Sequence, residues 1–164
     1  MLVRDFKFFN MYNSLLVIHS ILRWLVVLSL LLSIGIALRG YLTNRTFSPT
    51  DNKIRHWSAT IGHIQLIVGM LLYLKSPIAQ YLYTDFNDAI ANWQILFFSV
   101  IHSLLMLIAI VVLTLGSAFA KRKATDKLKY KTILVWYTVA FLIIFIAIPW
   151  PFSPLAERPI IRNF

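Results

Sequence analysis

Cysteine is absent from the 164 residues, which removes thiolate nucleophiles, disulfide frameworks, iron–sulfur clusters and Cys-ligated zinc together. Any metal or cofactor must then be held by His, Met, Tyr or oxygen ligands. Acid is scarce as well: six Asp and Glu stand against sixteen Lys and Arg, a formal net charge of +10. Charged residues of both signs make up 13% of the chain, about half the share usual in soluble domains. Hydrophobic residues make up 59%, aromatic residues 15%, and mean hydropathy is +0.74. Such a chain takes lipid as its solvent. Its basic excess reads first as a topology signal and calls for no nucleic acid partner.

The first thirteen residues lack the short apolar core and small-residue cleavage site of a removable signal peptide, so the first apolar run reads as a retained anchor. Crossing the hydrocarbon takes roughly 20 mostly apolar residues. Four runs qualify, at residues 14–38, 57–74, 93–118 and 132–148. Lys75, Ser76 and Pro77 close the second, and Pro149, Pro151 and Pro154 stop the fourth. The predicted fold is all-α, a single transmembrane domain forming an up-down-up-down four-helix bundle, because helices satisfy their own backbones in lipid. The connection at 76–92, with Tyr81, Tyr83 and Phe86, is expected to lie on the membrane surface as an amphipathic turn or short helix.

Basic residues give the orientation. The first and third connections carry ten: Arg39, Arg45, Lys53, Arg55, Lys121, Arg122, Lys123, Lys127, Lys129 and Lys131. The tails and the second connection carry five: Arg4, Lys7, Lys75, Arg158 and Arg162, with Asp5, Asp85, Asp88 and Glu157 beside them. The richer side belongs in the cytoplasm, which puts both termini on the periplasmic side of a bacterial inner membrane. The block at 121–131 is also a candidate docking site for anionic lipid or an acidic partner. Trp24, Trp93, Trp136 and Trp150 fall near span ends as belt residues, and the Pro-Trp-Pro-Phe run at 149–152 reads as an interfacial anchor.

Within these spans there is no Asp or Glu, but there are His19, Arg23, His63 and His102, with His56 at the rim. Ionisable groups at that depth mark a cofactor, an ion path or a buried pair by default. A proton pump or a Ser-His-Asp triad lacks its carboxylate, and the Glu-x-x-His spacing of bundle metal sites is missing. Haem needs neither, since two neutral imidazoles can ligate its iron axially. From the helical rise, His19 lies roughly 8–10 Å from the outer end of its span and His102 roughly 14 Å from the outer end of its own. They are the preferred pair. His63 is the substitute, with an expected depth mismatch against His102 of about 5 Å. Arg23, one turn from His19, is suited to a haem propionate, a lipid phosphate or a quinone carbonyl. His56 reads as interfacial. Ser58, Gly62, Gln65 and Gly69 on helix two, with Ser29 and Ser33 on helix one, read as close-packing positions, and Met70 and Met106 as core filler. Gln65 needs a partner, in the neighbourhood of His63, in a quinone head group or on another helix.

A short echo links His19-Ser20-Ile21-Leu22 with His102-Ser103-Leu104-Leu105. Together with Arg23-Trp24, Gly62-His63-Ile-Gln-Leu-Ile-Val-Gly, Tyr73 and Ile148-Pro-Trp-Pro-Phe-Ser-Pro-Leu, it makes nearly the whole chain resemble the small four-helix bacterial membrane proteins of the cytochrome B type. The resemblance implies a b-type cytochrome of the inner membrane carrying heme b, with His19, His63 and His102 at the positions of that family's histidines. It does not say which two hold iron, and no His in helix four speaks for a second bis-His haem. The expected function is electron transport, with membrane lipids, a quinone and other membrane protein subunits as candidate partners. The alternative is a haem-free accessory subunit of a larger membrane complex, and a lipid- or quinone-binding module is a third reading.

Overall fold

The computed structural model describes residues 2–153 and 155, with side chains from Met11 onward. Pro154, Glu157, Arg158 and Arg162 lie outside the described residues, as do the side chains of Arg4, Asp5 and Lys7. The chain runs through α1 (Leu2–Leu42), α2 (Pro49–Lys75), two short helices α3 (Pro77–Thr84) and α4 (Phe86–Ala91), one turn α5 (Trp93–Leu96), a π-helical turn (Phe97–Ile101), α6 (His102–Arg122) and α7 (Asp126–Ala147). No strand occurs among the described residues. Four stretches are long and apolar enough to cross a membrane, Met11–Leu42, Pro49–Lys75, Trp93–Arg122 and Asp126–Ala147. That is the build of a multi-pass membrane protein.

The helices outrun the apolar runs because polar residues cap them. α2 starts at Pro49 rather than at 57: Ser48 accepts from the Asp51 backbone N–H while the Asp51 carboxylate accepts from the Ser48 N–H, a reciprocal capping box with Pro at the first helical position. α7 starts at Asp126 rather than at 132, where the Thr125 hydroxyl accepts from Leu128 N–H. Two carboxylates, Asp51 and Asp126, therefore stand in the first turns of spanning helices that were expected to hold none. The connection at 76–92 takes the expected short-helix form, as α3 and α4. Ser76 both ends α2 and caps α3, accepting from Ala79 N–H.

Large apolar side chains such as Leu28, Ile67, Leu74 and Ile146 face outward, more exposed apolar surface than a soluble monomer carries. Inside, Leu30, Leu113, Tyr130 and Tyr137 are fully buried where α1, α2, α6 and α7 meet. Small residues let the helices close. A Cβ on Gly116 would collide with Trp136 of α7, and one on Gly40 with the ring of Tyr130. Ser33 and Ser58 hydrogen-bond at 2.7 Å, and Ser58 also donates to Ser29 O at 3.0 Å, which stitches α1 to α2.

The loop end of α1 and α2 holds a polar core. Asp51, 5% exposed, accepts from Arg45 (2.6 Å), the Ser48 N–H (2.9 Å) and hydroxyl (2.8 Å), and the Tyr130 phenol (2.7 Å). Arg55 is buried in the second turn of α2 and does not act as a loop charge. It donates to Asn52 Oδ1 and to the Ser117 carbonyl and hydroxyl, and Tyr137 donates to its carbonyl at 2.7 Å. A cavity of about 10 Å³ lies among Ser33, Asp51, Arg55 and Tyr130, too small for more than about one water.

Candidate functional site

The end of the packed helices away from Asp51 brings together His19, Arg23, Gln65 and His102. His102 follows the π-helical turn Phe97–Ile101, and its backbone N–H reaches back five residues to Phe97 O. One extra residue in that turn rotates everything after it, which is how a π-bulge re-aims a side chain within a helix. The re-aimed ring lies near Phe97 and Phe98 and points toward α7, with Nδ1 at 2.8 Å from the Ala147 carbonyl oxygen. A carbonyl only accepts, so Nδ1 carries the proton and Nε2 keeps its lone pair. This is the arrangement in which a metal-binding imidazole is held by a backbone carbonyl.

His19 comes from α1 to face it. The two rings stand 6.4 Å apart centre to centre with their planes at 68°. His19 is held from α2: Gln65 Nε2 donates to the His19 carbonyl at 3.0 Å and lies 3.4 Å from His19 Nε2. Gln65 thus serves His19 and not the neighbourhood of His63. Gly69, one turn further along α2, lies flat against the same ring; a Cβ there would come within 3.2 Å of Cε1. Two buried atoms here have no hydrogen-bond partner, His19 Nδ1 and Gln65 Oε1. Arg23, one turn along α1, is half-buried with its guanidinium 5.3 Å from the Trp24 ring centre, and Trp24 packs edge-on against Trp150 at 5.8 Å.

His63 is not brought to this pair. It is exposed on α2 and hydrogen-bonds Thr114 of α6 at 2.8 Å. Thr114 lies twelve residues beyond His102, about 18 Å along the helix axis, so the small depth mismatch expected between His63 and His102 does not hold. α2 itself begins two turns earlier than its hydropathy indicates, at Pro49, so depth counted from the start of the apolar run misplaces the residues on it. His56 is exposed beside Trp57, Met70 is exposed, and Met106 packs on the core. No group of three or more His, Cys, Asp or Glu suited to a metal occurs among the described residues.

Heme b, implied by the sequence resemblance, needs two imidazole nitrogens and no third protein ligand. The facing His19 and His102 rings, 6.4 Å apart between centres, with His102 oriented through Nδ1–H, would hold such a group; the Gln65 amide donates to His19 Nε2, which puts the unpartnered proton of that ring on Nδ1. Small-residue contact at Gly69 gives the His19 ring a flat backing. Comparisons with protein-family models, with curated proteins and with solved structures return no match for this chain.

Proposed function

We propose that the chain is a membrane b-type cytochrome that carries electrons, with His19 and His102 as the axial ligands of one heme b. The observation that carries this reading is the facing pair of imidazoles, one oriented by a backbone carbonyl and the other by the Gln65 amide. Haem would supply one-electron chemistry at its iron. The chain's own residues would orient the rings, exclude water through the apolar shell and, at Arg23, set a positive charge beside the site to balance propionate or quinone oxygen. His63 drops to a packing role through Thr114.

The same reading takes the four spans as an up-down-up-down bundle in a bacterial inner membrane, with the termini on the periplasmic side. Pairings that support it are His19 with Gln65 and Ser33 with Ser58, which run oppositely along α1 and α2, and Arg55 with Ser117 and His63 with Thr114, which do so along α2 and α6. Absence of native cysteine makes the orientation testable: Lys127→Cys should react with an impermeant maleimide only from the cytoplasmic side, and Tyr83→Cys only from the periplasmic side.

A reduced-minus-oxidised visible spectrum of the purified protein tests the haem. Loss of the haem bands in His19→Ala and in His102→Ala, with His63→Ala unchanged, is the expected pattern. A featureless wild-type spectrum would sink the cytochrome reading. It would select a haem-free accessory subunit, a role favoured by the outward apolar side chains and by the protein partners that Gln65, His63 and His102 already have.

A further inference from the structure

An α-helical carbonyl ordinarily accepts from the N–H four residues on. Four residues after Phe145 stands Pro149, and four after Ala147 stands Pro151; neither has an N–H to give. Pro149 also drives Ile148 out of the helical region, and Ile148 indeed ends α7 with φ −69° and ψ 128°. Two carbonyls at a membrane helix end are thus left without backbone donors, and both are taken by rings. The Trp150 indole N–H donates to Phe145 O at 2.8 Å, and His102 Nδ1–H donates to Ala147 O at 2.8 Å. The neighbouring Trp150 N–H turns to Ile148 O at 2.9 Å and so does not compete.

We propose that Pro149 and Pro151 are positioning residues for His102: by withholding their N–H groups they leave the Ala147 carbonyl to the imidazole, which fixes the ring as the Nδ1–H tautomer and turns the Nε2 lone pair to the site. Read this way, the Pro-Trp-Pro run does more than stop a helix and anchor an indole. It prepares His102, on a different helix and forty-seven residues before Pro149 in the chain. The π-helical turn before His102 is the matching adjustment on α6, bringing the ring to that carbonyl. The use of Nε2 toward a metal rests on the cytochrome reading, whereas the tautomer does not.

The test is nitrogen NMR on protein labelled with ¹⁵N-histidine, the purified full chain in detergent, with the visible spectrum taken on the same sample. Wild-type His102 should show a pyrrole-type Nδ1 and a pyridine-type or metal-bound Nε2. In Pro149→Ala/Pro151→Ala the helix can run on and supply backbone N–H groups to both carbonyls, so that His102 must share the Ala147 oxygen, and the tautomer preference should fall, by at most about fivefold, the worth of one neutral hydrogen bond. Trp150→Phe, which vacates only Phe145 O, should leave His102 as it is. A wild-type His102 protonated on Nε2, or a folded double variant with an unchanged tautomer, overturns the proposal; if the double variant does not fold, the wild-type shifts decide. An absent haem band with the expected shifts would defeat the cytochrome reading alone.

Discussion

Asp51 is the group whose removal should cost the most where α1 turns into α2, and the cost can be ranked donor by donor. Its carboxylate receives four donors, about the number of lone-pair sites it offers. Asp51→Ala strips half of the capping box, leaves Tyr130 with only Thr46 O at 3.2 Å, and releases Arg45. Breaking a fully buried charge pair costs about 3–5 kcal/mol. Because the Arg45 side chain is 44% exposed and can turn to water, the lower end applies, about 3 kcal/mol. Tyr130→Phe deletes one hydrogen bond to a charged group whose other three donors remain, so about 1.5 kcal/mol is expected. Arg45→Ala should cost at most about 1 kcal/mol, as for an exposed ion pair. Reversible unfolding by SDS titration in mixed micelles measures all three, and the Asp51→Ala/Tyr130→Phe double variant should fall short of the sum, since both substitutions delete the same bond. Additive losses, or an Arg45→Ala variant as damaged as Asp51→Ala, would refute the picture of Tyr130 and Asp51 as a buried pair with Arg45 at its rim.

Gly116→Ala should destabilise by about 1–3 kcal/mol through overpacking against Trp136, while Gly35→Ala, which meets nothing within 4 Å, should be neutral or stabilise by up to about 1 kcal/mol; equal effects in the same titration would mean that α6 and α7 do not close as tightly as Gly116 implies. Ser33→Ala should cost only about 0.6 kcal/mol, the usual worth of an interhelical bond in a membrane, because Ser58 retains the Ser29 carbonyl; a loss of several kcal/mol would make that serine pair a keystone. On the surface element, the hydrogen bond from the Tyr81 phenol to Asp88 holds the phenol's pKa above its ordinary value, so Asp88→Asn should let it ionise at lower pH, nearer to about 10. Ultraviolet difference titration reads this, and an unmoved midpoint would show that the pair does not form in solution.

Periodicity and composition carried the four crossings because burial in lipid acts on every residue of a span, and runs of Leu, Ile and Val state that plainly. The surface helices at 76–92 were legible for the same reason, from aromatic residues among polar ones. Helix starts were harder. Hydropathy sees apolar side chains, but Ser48-Pro49-Thr50-Asp51 begins α2 by hydrogen-bond geometry, a signal of four letters that is written in polar residues. Missing it displaced His63 from its true level and hid Asp51. That the His19 and His102 rings are neighbours could be read from their depths and from the first and third apolar runs pointing the same way, whereas the Ala147 carbonyl could not, because a backbone acceptor has no letter. Its trace was a pair of prolines at i+4 spacing. Tyr130, outside the run expected at 132–148, and Tyr137, within it, gave no sign of their partners, since a phenol declares its partner only when the neighbouring helix is in place.

The two polar clusters, around Asp51 and around His19, treat buried polarity in opposite ways. At the loop end Asp51, Arg55, Tyr130 and Tyr137 are bonded to one another, to caps or to carbonyls. Such a network costs little to keep and much to break, as expected of a clamp that fixes helix register. At the histidine end, the His19 Nδ1 and Gln65 Oε1 are buried and without partners, and a buried polar atom left unsatisfied costs about 1–3 kcal/mol. A chain that satisfies its polar atoms with such economy at one end has no packing reason to forgo it at the other. Replacing His19 by Phe and Gln65 by Leu would remove both penalties and keep the apolar shell. If those atoms served packing alone, that double substitution should raise stability in the SDS titration at no cost to any bound chromophore. If they receive a ligand, the stabilised protein should be the one that has lost it.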